Sequence, residues 1–183
     1  MKQYHTFWRR AGALLLDGLV FAPLTAAPIV IMTISHGISF AAYLGLSLFT
    51  TVTMGTYFIV MPARYGQTLG KMATGVRIVK TDGGAIGLKE SFVRWLPGFL
   101  IGLIISIPTF FWLSSLPAID MASMTTLPKW VNWINTAWLL AEIITLLCNP
   151  HRRAIHDFVA GTEVIVIKAL PSAENPTPAL ATA

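Results

Sequence analysis

Charge is what this sequence has least of. Asp, Glu, Lys and Arg together make up 11% of its 183 residues, against roughly 25% in a soluble globular chain. Hydrophobic residues make up 55%, and the mean hydropathy is +0.67. Such a chain cannot cover itself with polar side chains, so the lipid bilayer must be part of its solvent. Cysteine is nearly absent too. Cys148 stands alone, which excludes an internal disulfide and leaves no sign of an oxidising compartment. It reads as a small apolar packing residue. Also missing are a nucleophile–base set, a metal-ligand spacing and a cofactor loop. The expectation is therefore a protein that is not an enzyme, with no cofactor, no metal and no nucleic-acid partner. Gly66-Gln-Thr-Leu-Gly-Lys71 looks superficially like a phosphate loop. It has three residues between its glycines instead of four, and Met72 follows the lysine, so the phosphate cradle is not built.

What is there is four long apolar stretches. Residues 11–34, 38–61, 95–119 and 130–148 are each about long enough to cross a hydrocarbon core. Each is continuously apolar and not alternating, which predicts helices over strands. The first follows a basic start, as a signal peptide would. Asp17 interrupts its core and Pro28 follows its small residues, so it reads as a retained helix. All but one of the 13 basic residues lie before the first stretch, between the second and third, or after the fourth. Lys129 is the exception. The positive-inside rule then places both termini and the middle loop in the cytoplasm, at a bacterial inner membrane. Trp8 and Trp95 fall near the inner boundary, and Trp112, Trp130 and Trp133 near the outer one, where lipid-facing packing explains them.

The inner segments carry local patterns of their own. Val76, Ile78 and Lys80 alternate with Arg77 and Val79, and Asp82-Gly83 signals a turn, which predicts a short hairpin. Ala154, Ile155, Phe158 and Val159 share a helical face that Arg153, His156 and Asp157 avoid. That predicts a short helix on the membrane surface. Gly161 ends it, and 162–168 reads as a strand able to join the hairpin in a small sheet. The predicted fold is thus an all-α membrane protein: a four-helix transmembrane bundle with a small cytoplasmic hairpin or sheet and an interfacial helix. One domain covers 1–168. Residues 169–183, rich in Pro, Ala, Ser and Thr, read as a disordered tail.

Three separated patterns carry a resemblance. Arg9-Arg10-Ala-Gly-Ala-Leu-Leu-Leu-Asp17 places Arg10 and Asp17 seven apart. Gly66-Gln-Thr-Leu-Gly-Lys71 leads on to Val76-Arg-Ile-Val79. His156-Asp157 precedes Gly161-Thr162. In this order, over residues 4–168, they resemble the RDD family of bacterial membrane proteins, with Asp157 as the second aspartate and Arg94 where the family often has Arg. Leu69 stands where the family often has Pro. The resemblance implies a transport-related protein, with monovalent cation/proton exchange as the activity proposed for the family.

Ionisable groups inside a span need a reason, since each costs at least about 2.5–3.5 kcal/mol at mid-membrane. Asp17 and Glu142 lie at similar depths, roughly 10 and 9 Å from the inner boundary. They share a site if the first and fourth spans are neighbours. Asn135, Glu142 and Asn149 are spaced by seven, with Thr145 near their face and Asn132 at its edge. This polar stripe is expected to point into the bundle or toward water. Two readings follow. In one, Asp17, Glu142 and the Arg10, Arg94, His156 and Asp157 set move a small cation or proton. In the other they are structural, with Asp17 paired to Arg10, Arg94 or Arg153 and the basic face presented to a partner or anionic lipid. Gly98-xxx-Gly102-xxx-Ser106 allows close helix approach, either within the chain or in a homo-oligomer.

Overall fold

Each apolar stretch is one helix, and three of the four run further than their apolar cores. The computed structural model describes residues 6–126 and 128–167. In it α1 is Phe7–Ile34 and α2 is Phe40–Tyr65, followed by a short α3, Leu69–Thr74, and a strand β1, Val76–Lys80. Then come α4 (Leu88–Ser114), a short α5 (Met121–Thr125), α6 (Lys129–Cys148), a one-turn α7 (Ile155–Val159) and β2 (Thr162–Val166). The four long helices, α1, α2, α4 and α6, are long and apolar enough to cross a membrane. Helix α1 begins four residues before its apolar run and α4 seven before, because Arg9, Arg10, Glu90 and Arg94 continue the helix where hydropathy drops.

The ends are set by local chemistry. Ser39 caps α2 by accepting from the Ala42 amide, which supplies one of the four unbonded donors of a helix start. Gly66, at φ 69°, turns the chain out of α2 in the left-handed conformation glycine favours. Thr68 caps α3 by accepting from the Lys71 amide at 3.3 Å. The glycines and threonine of the phosphate-loop look-alike thus serve two helix ends.

The predicted hairpin is not formed. β1 pairs antiparallel with β2, in the register Val76↔Val166 through Lys80↔Thr162. The segment after Asp82-Gly83 does not return as a strand. It turns through the Lys80–Gly84 hydrogen bonds and enters α4, which the Lys80–Glu90 pair at 3.0 Å helps to hold. The turn signal was right, and the strand partner came from beyond α6. Lys168 and the expected tail at 169–183 lie outside the described residues.

Two apolar clusters close the two ends of the molecule. Val76, Ile78, Ile86 and Val164 form one under the sheet, at the end that carries the basic residues. Met32, Ile38, Leu113 and Ile119 form the other at the opposite end, where Ile38 and Ile119 make a two-way backbone bridge. Little of the spans between them is covered by the rest of the chain. This matches a lipid solvent, in which apolar side chains gain nothing by leaving for a protein interior.

The spans pack unevenly. α1 lies chiefly against α3, α2 against α4, and α4 also against α6 and α7. Among the described residues nothing sits over Gly98 or Gly102, so no close helix approach is made at these two positions. The polar stripe of α6 does not point wholly inward either. Asn132 and Asn135 are exposed, Glu142 and Thr145 are partly covered, and the Asn149 side chain accepts from the His151 amide beyond the helix end.

Candidate functional site: two carboxylate centres at the basic end

Asp17 and Asp157 are both buried, at 2% and 0% exposure, and each is the hub of a separate centre. Around Asp17, the Tyr57 hydroxyl donates to Oδ1 at 2.7 Å and the Gly70 amide donates to the same oxygen at 2.8 Å. The Thr68 hydroxyl donates to Oδ2 at 2.6 Å. The Leu69 amide donates in turn to the Tyr57 oxygen at 2.8 Å. The first turn of α3 is thus stitched to α1 through one carboxylate. The expected ion pair of Asp17 with Arg10, Arg94 or Arg153 is absent. Neutral donors replace it, because α3 folds back onto α1 and brings its amides to the carboxylate before any guanidinium can reach it.

Asp157 takes the arginines. Arg10 bonds its Oδ2 and Arg94 its Oδ1. The Ala154 amide also donates to Oδ2, at 3.1 Å, so the same carboxylate caps α7. Both guanidiniums make further contacts. Arg10 also bonds the Arg152 carbonyl at 3.0 Å, and Arg94 the Thr162 hydroxyl at 3.0 Å. Arg153 bonds the Thr162 carbonyl at 3.0 Å and lies over the Phe158 ring. Burial alone would raise the Asp157 carboxyl. The Arg94 and Arg10 charges overcome it and hold the group well below the usual carboxylate range. Within α7 the acid points inward, while Phe158 and Val159 are exposed, as a helix lying on a lipid surface requires.

A chain of contacts leads from this centre to Glu142. Arg94 Nη2 lies 3.0 Å from His156 Nε2, and His156 Nδ1 lies 3.0 Å from Glu142 Oε1 and 2.9 Å from Oε2. Arginine can only donate, so Nε2 must be the accepting nitrogen and Nδ1 carries the proton toward Glu142. This neutral tautomer is inferred from the network. Burial and the Arg94 charge push the imidazole below its ordinary value, against the pull of Asp157 and Glu142. Glu142 Oε2 is buried and has no hydrogen bond among the described residues.

The structure therefore joins Arg10, Arg94, Asp157, His156 and Glu142 and leaves Asp17 in a centre of its own. The two intramembrane acids have no common partner. Among the described residues, no group of three or more His, Cys, Asp and Glu side chains is placed to hold a metal ion.

Lys71, the last residue of the Gly66–Lys71 pattern, feels the charges of both centres. Its ammonium makes no hydrogen bond or ion pair among the described residues. Burial, with the Arg94 and Arg10 charges, pushes it down to about 7, against the pull of Asp17 and Asp157. The unfolded chain holds this proton up to its ordinary value of 10.5. Between those two values the unfolded state binds more protons, so stability rises with pH. Lys71→Met is expected to abolish that rise and to stabilise the protein most at pH 7 and below, as read by thermal unfolding in detergent from pH 6 to 10.

Thr68, Gly70 and Thr162 also carry the site and lie in the patterns that resemble the family, whereas Tyr57 lies in none of them. One signal was present: Tyr43, Thr50 and Tyr57 are seven apart on α2, a polar face as regular as that of α6.

The family model described as the RDD family matches residues 4–161. The uncharacterized protein YckC of Bacillus subtilis (strain 168) is similar, with 26% identity over 159 residues, or 86% of this chain and 82% of that protein. No solved structure matches the chain.

Proposed function

Since this chain belongs to the RDD family, we propose that it is a transport-related protein of the bacterial cytoplasmic membrane, exchanging a small monovalent cation for protons, with both termini in the cytoplasm. The orientation rests on the basic residues gathered at one end. The observation that carries the exchange is the His156–Glu142 pair at the inner end of α6, tied through Arg94 to Asp157. His156 cannot take a second proton on Nε2 while Arg94 donates to it. Proton uptake at His156 therefore releases its contact with Arg94 Nη2, while Arg94 Nη1 and Arg10 still hold Asp157. A proton arriving on Glu142 instead removes the negative charge that a cation would need. Either way, proton and cation compete for one seam between α4, α6 and α7.

Asp17 takes no part in the exchange under this reading. Its oxygens accept two hydrogen bonds from the start of α3 and one from Tyr57 of α2, so its role is to position the basic end. Sodium- or potassium-driven proton movement in proteoliposomes tests the proposal. Glu142→Gln should lower it by about 10-fold or more, a typical size for losing a positioned proton-transfer group, while the protein stays folded. Absence of flux in the wild type across alkali cations and pH gradients sinks the proposal.

One observation favours a second reading. Arg9, Arg64, Arg77 and Lys89 are exposed on the basic end and suit an acidic partner or anionic lipid. A scaffold of that kind would retain a co-purifying partner that is lost on neutralising these four residues, and would carry no flux.

A further inference from the structure

A cleft of about 410 Å³ lies between α1 and α2 in the half of the molecule away from the basic end, with α5 over it. Thr25, Pro28, Ile29 and Met32 of α1 and Tyr43, Ser47, Thr50 and Thr51 of α2 form its walls, and Met121 and Met124 line its outer end. Half of these lining residues carry a hydroxyl, although both helices are apolar enough to span a membrane.

The hydroxyls differ in what they bond. Thr25, Thr33, Thr53, Thr109 and Thr145 each donate to a carbonyl one turn back on their own helix, the usual resort of a hydroxyl in lipid. Tyr43, Ser47, Thr50 and Thr51 donate to nothing among the described residues; so do Thr56, Ser106 and Thr136, singly elsewhere on the spans, but these four are gathered at one cleft. Ser47 and Thr51 lie roughly 10–16 Å along α2 from its start, too deep for the headgroup zone. A hydroxyl left unbonded in hydrocarbon costs several kcal/mol. Something outside the chain must satisfy these groups, and an acyl chain cannot.

A layer of rings lies inward of the cleft. Phe21, one turn below Thr25 on α1, packs edge-on to Tyr57 at 4.9 Å, and Phe58 packs edge-on to Tyr57 at 5.1 Å. Tyr57 bonds Asp17 on the other side. Asp17, Phe21, Thr25 and Met32 follow one face of α1, so hydroxyl cleft, ring layer and carboxylate stand in series along a single seam.

We propose that the α1–α2 cleft is a hydrated vestibule, whose hydroxyl oxygens receive a small hydrated cation from the far side and whose inner seal is the Phe21–Tyr57–Phe58 layer above Asp17. The vestibule stands apart from the exchange reading, whose seam lies between α4, α6 and α7.

Thiol labelling in membrane vesicles tests the vestibule without requiring flux. In a Cys148→Ser background, Ser47→Cys and Leu48→Cys place thiols at the same depth, the first facing the cleft and the second facing lipid, where Leu48 is 56% exposed. A charged, impermeant thiol reagent applied from the far side should label Ser47→Cys about tenfold faster, because the reactive thiolate forms only where water reaches. Equal, slow labelling of the two would overturn the vestibule in favour of a lipid-filled cleft. Phe21→Ala is expected to open a passive sodium leak. Tight vesicles holding folded Phe21→Ala protein would remove the rings as the seal. Labelled Ser47→Cys in a wild-type-like protein that moves no cation would support the vestibule while counting against the exchange.

Discussion

Asp157→Asn is expected to cost about 3–5 kcal/mol of stability, the range for removing one partner of a buried ion pair. The loss is read as a fall in the unfolding temperature of the purified protein in detergent. The carboxylate is wholly buried, and both arginines that reach it are nearly so, at 11% and 10% side-chain exposure. An amide of the same shape can still accept a hydrogen bond, but its nitrogen can only donate, and it then meets a guanidinium that also donates. Three elements lose their common hub: the start of α1 through Arg10, the start of α4 through Arg94, and α7 through the Ala154 amide. The exposed Lys80–Glu90 pair, with side chains 36% and 22% accessible, supplies the contrast. Its removal by Lys80→Met should shift the unfolding temperature far less than Asp157→Asn does. Asp157 also sets an acid limit. Its folded value lies below the ordinary 3.8, so its contribution is complete above that pH and is lost as pH falls through the folded value.

Gly70→Ala should be as damaging although it adds a single methyl group. A Cβ at Gly70 would lie 2.1 Å from the Ala13 carbonyl oxygen and 2.9 Å from the Asp17 carboxyl carbon. Neither can yield, since one is helix backbone and the other is pinned by three donors. Helix α3 must therefore lift off α1, and the Gly70 amide and Thr68 hydroxyl leave Asp17 together. Overpacking costs about 1–3 kcal/mol, and each buried donor left unbonded costs about another 1–3. The expected result is loss of folded protein from the membrane. Gly98→Ala, where a Cβ would meet nothing within 4 Å, should leave stability of the single chain unchanged within about 0.5 kcal/mol.

The four spans were legible because a continuous apolar run longer than a bilayer core has few alternatives. Their ends were less so, because hydropathy falls at Arg9, Arg10 and Arg94 while the helix continues through them. The patterns that resemble the family named Arg10, Arg94 and Asp157, which the structure brings together, but the pairing among them could not be read. Arg10 and Asp17 share a helix face, which suggested a pair; two helical turns separate them in depth, and each found a nearer partner on another element. The Asp17 centre depends on α3 folding back onto α1, and six residues hold no periodicity that would announce it. β1 and β2 were both visible as strands. Their pairing was not, because Asp82-Gly83 signalled a return that the chain does not make, and the true partner lies some eighty residues on. On α6, spacing showed that Asn135 and Glu142 share a face, but spacing cannot say which neighbour covers it.

The long reach of the Asp157 contacts has a consequence for how the protein is made. Arg10 and Arg94 stand at the starts of the first and third spans, and the carboxylate that neutralises them follows the last. Throughout synthesis of the first three spans, both arginines are therefore uncompensated cations next to newly inserted helices, where such charges resist being carried across. Their neutralisation, together with closure of β1 by β2, waits until α6 has entered the membrane. The buried ion pair that welds the finished molecule begins as two separate anchors, and it locks only when every span is already in place.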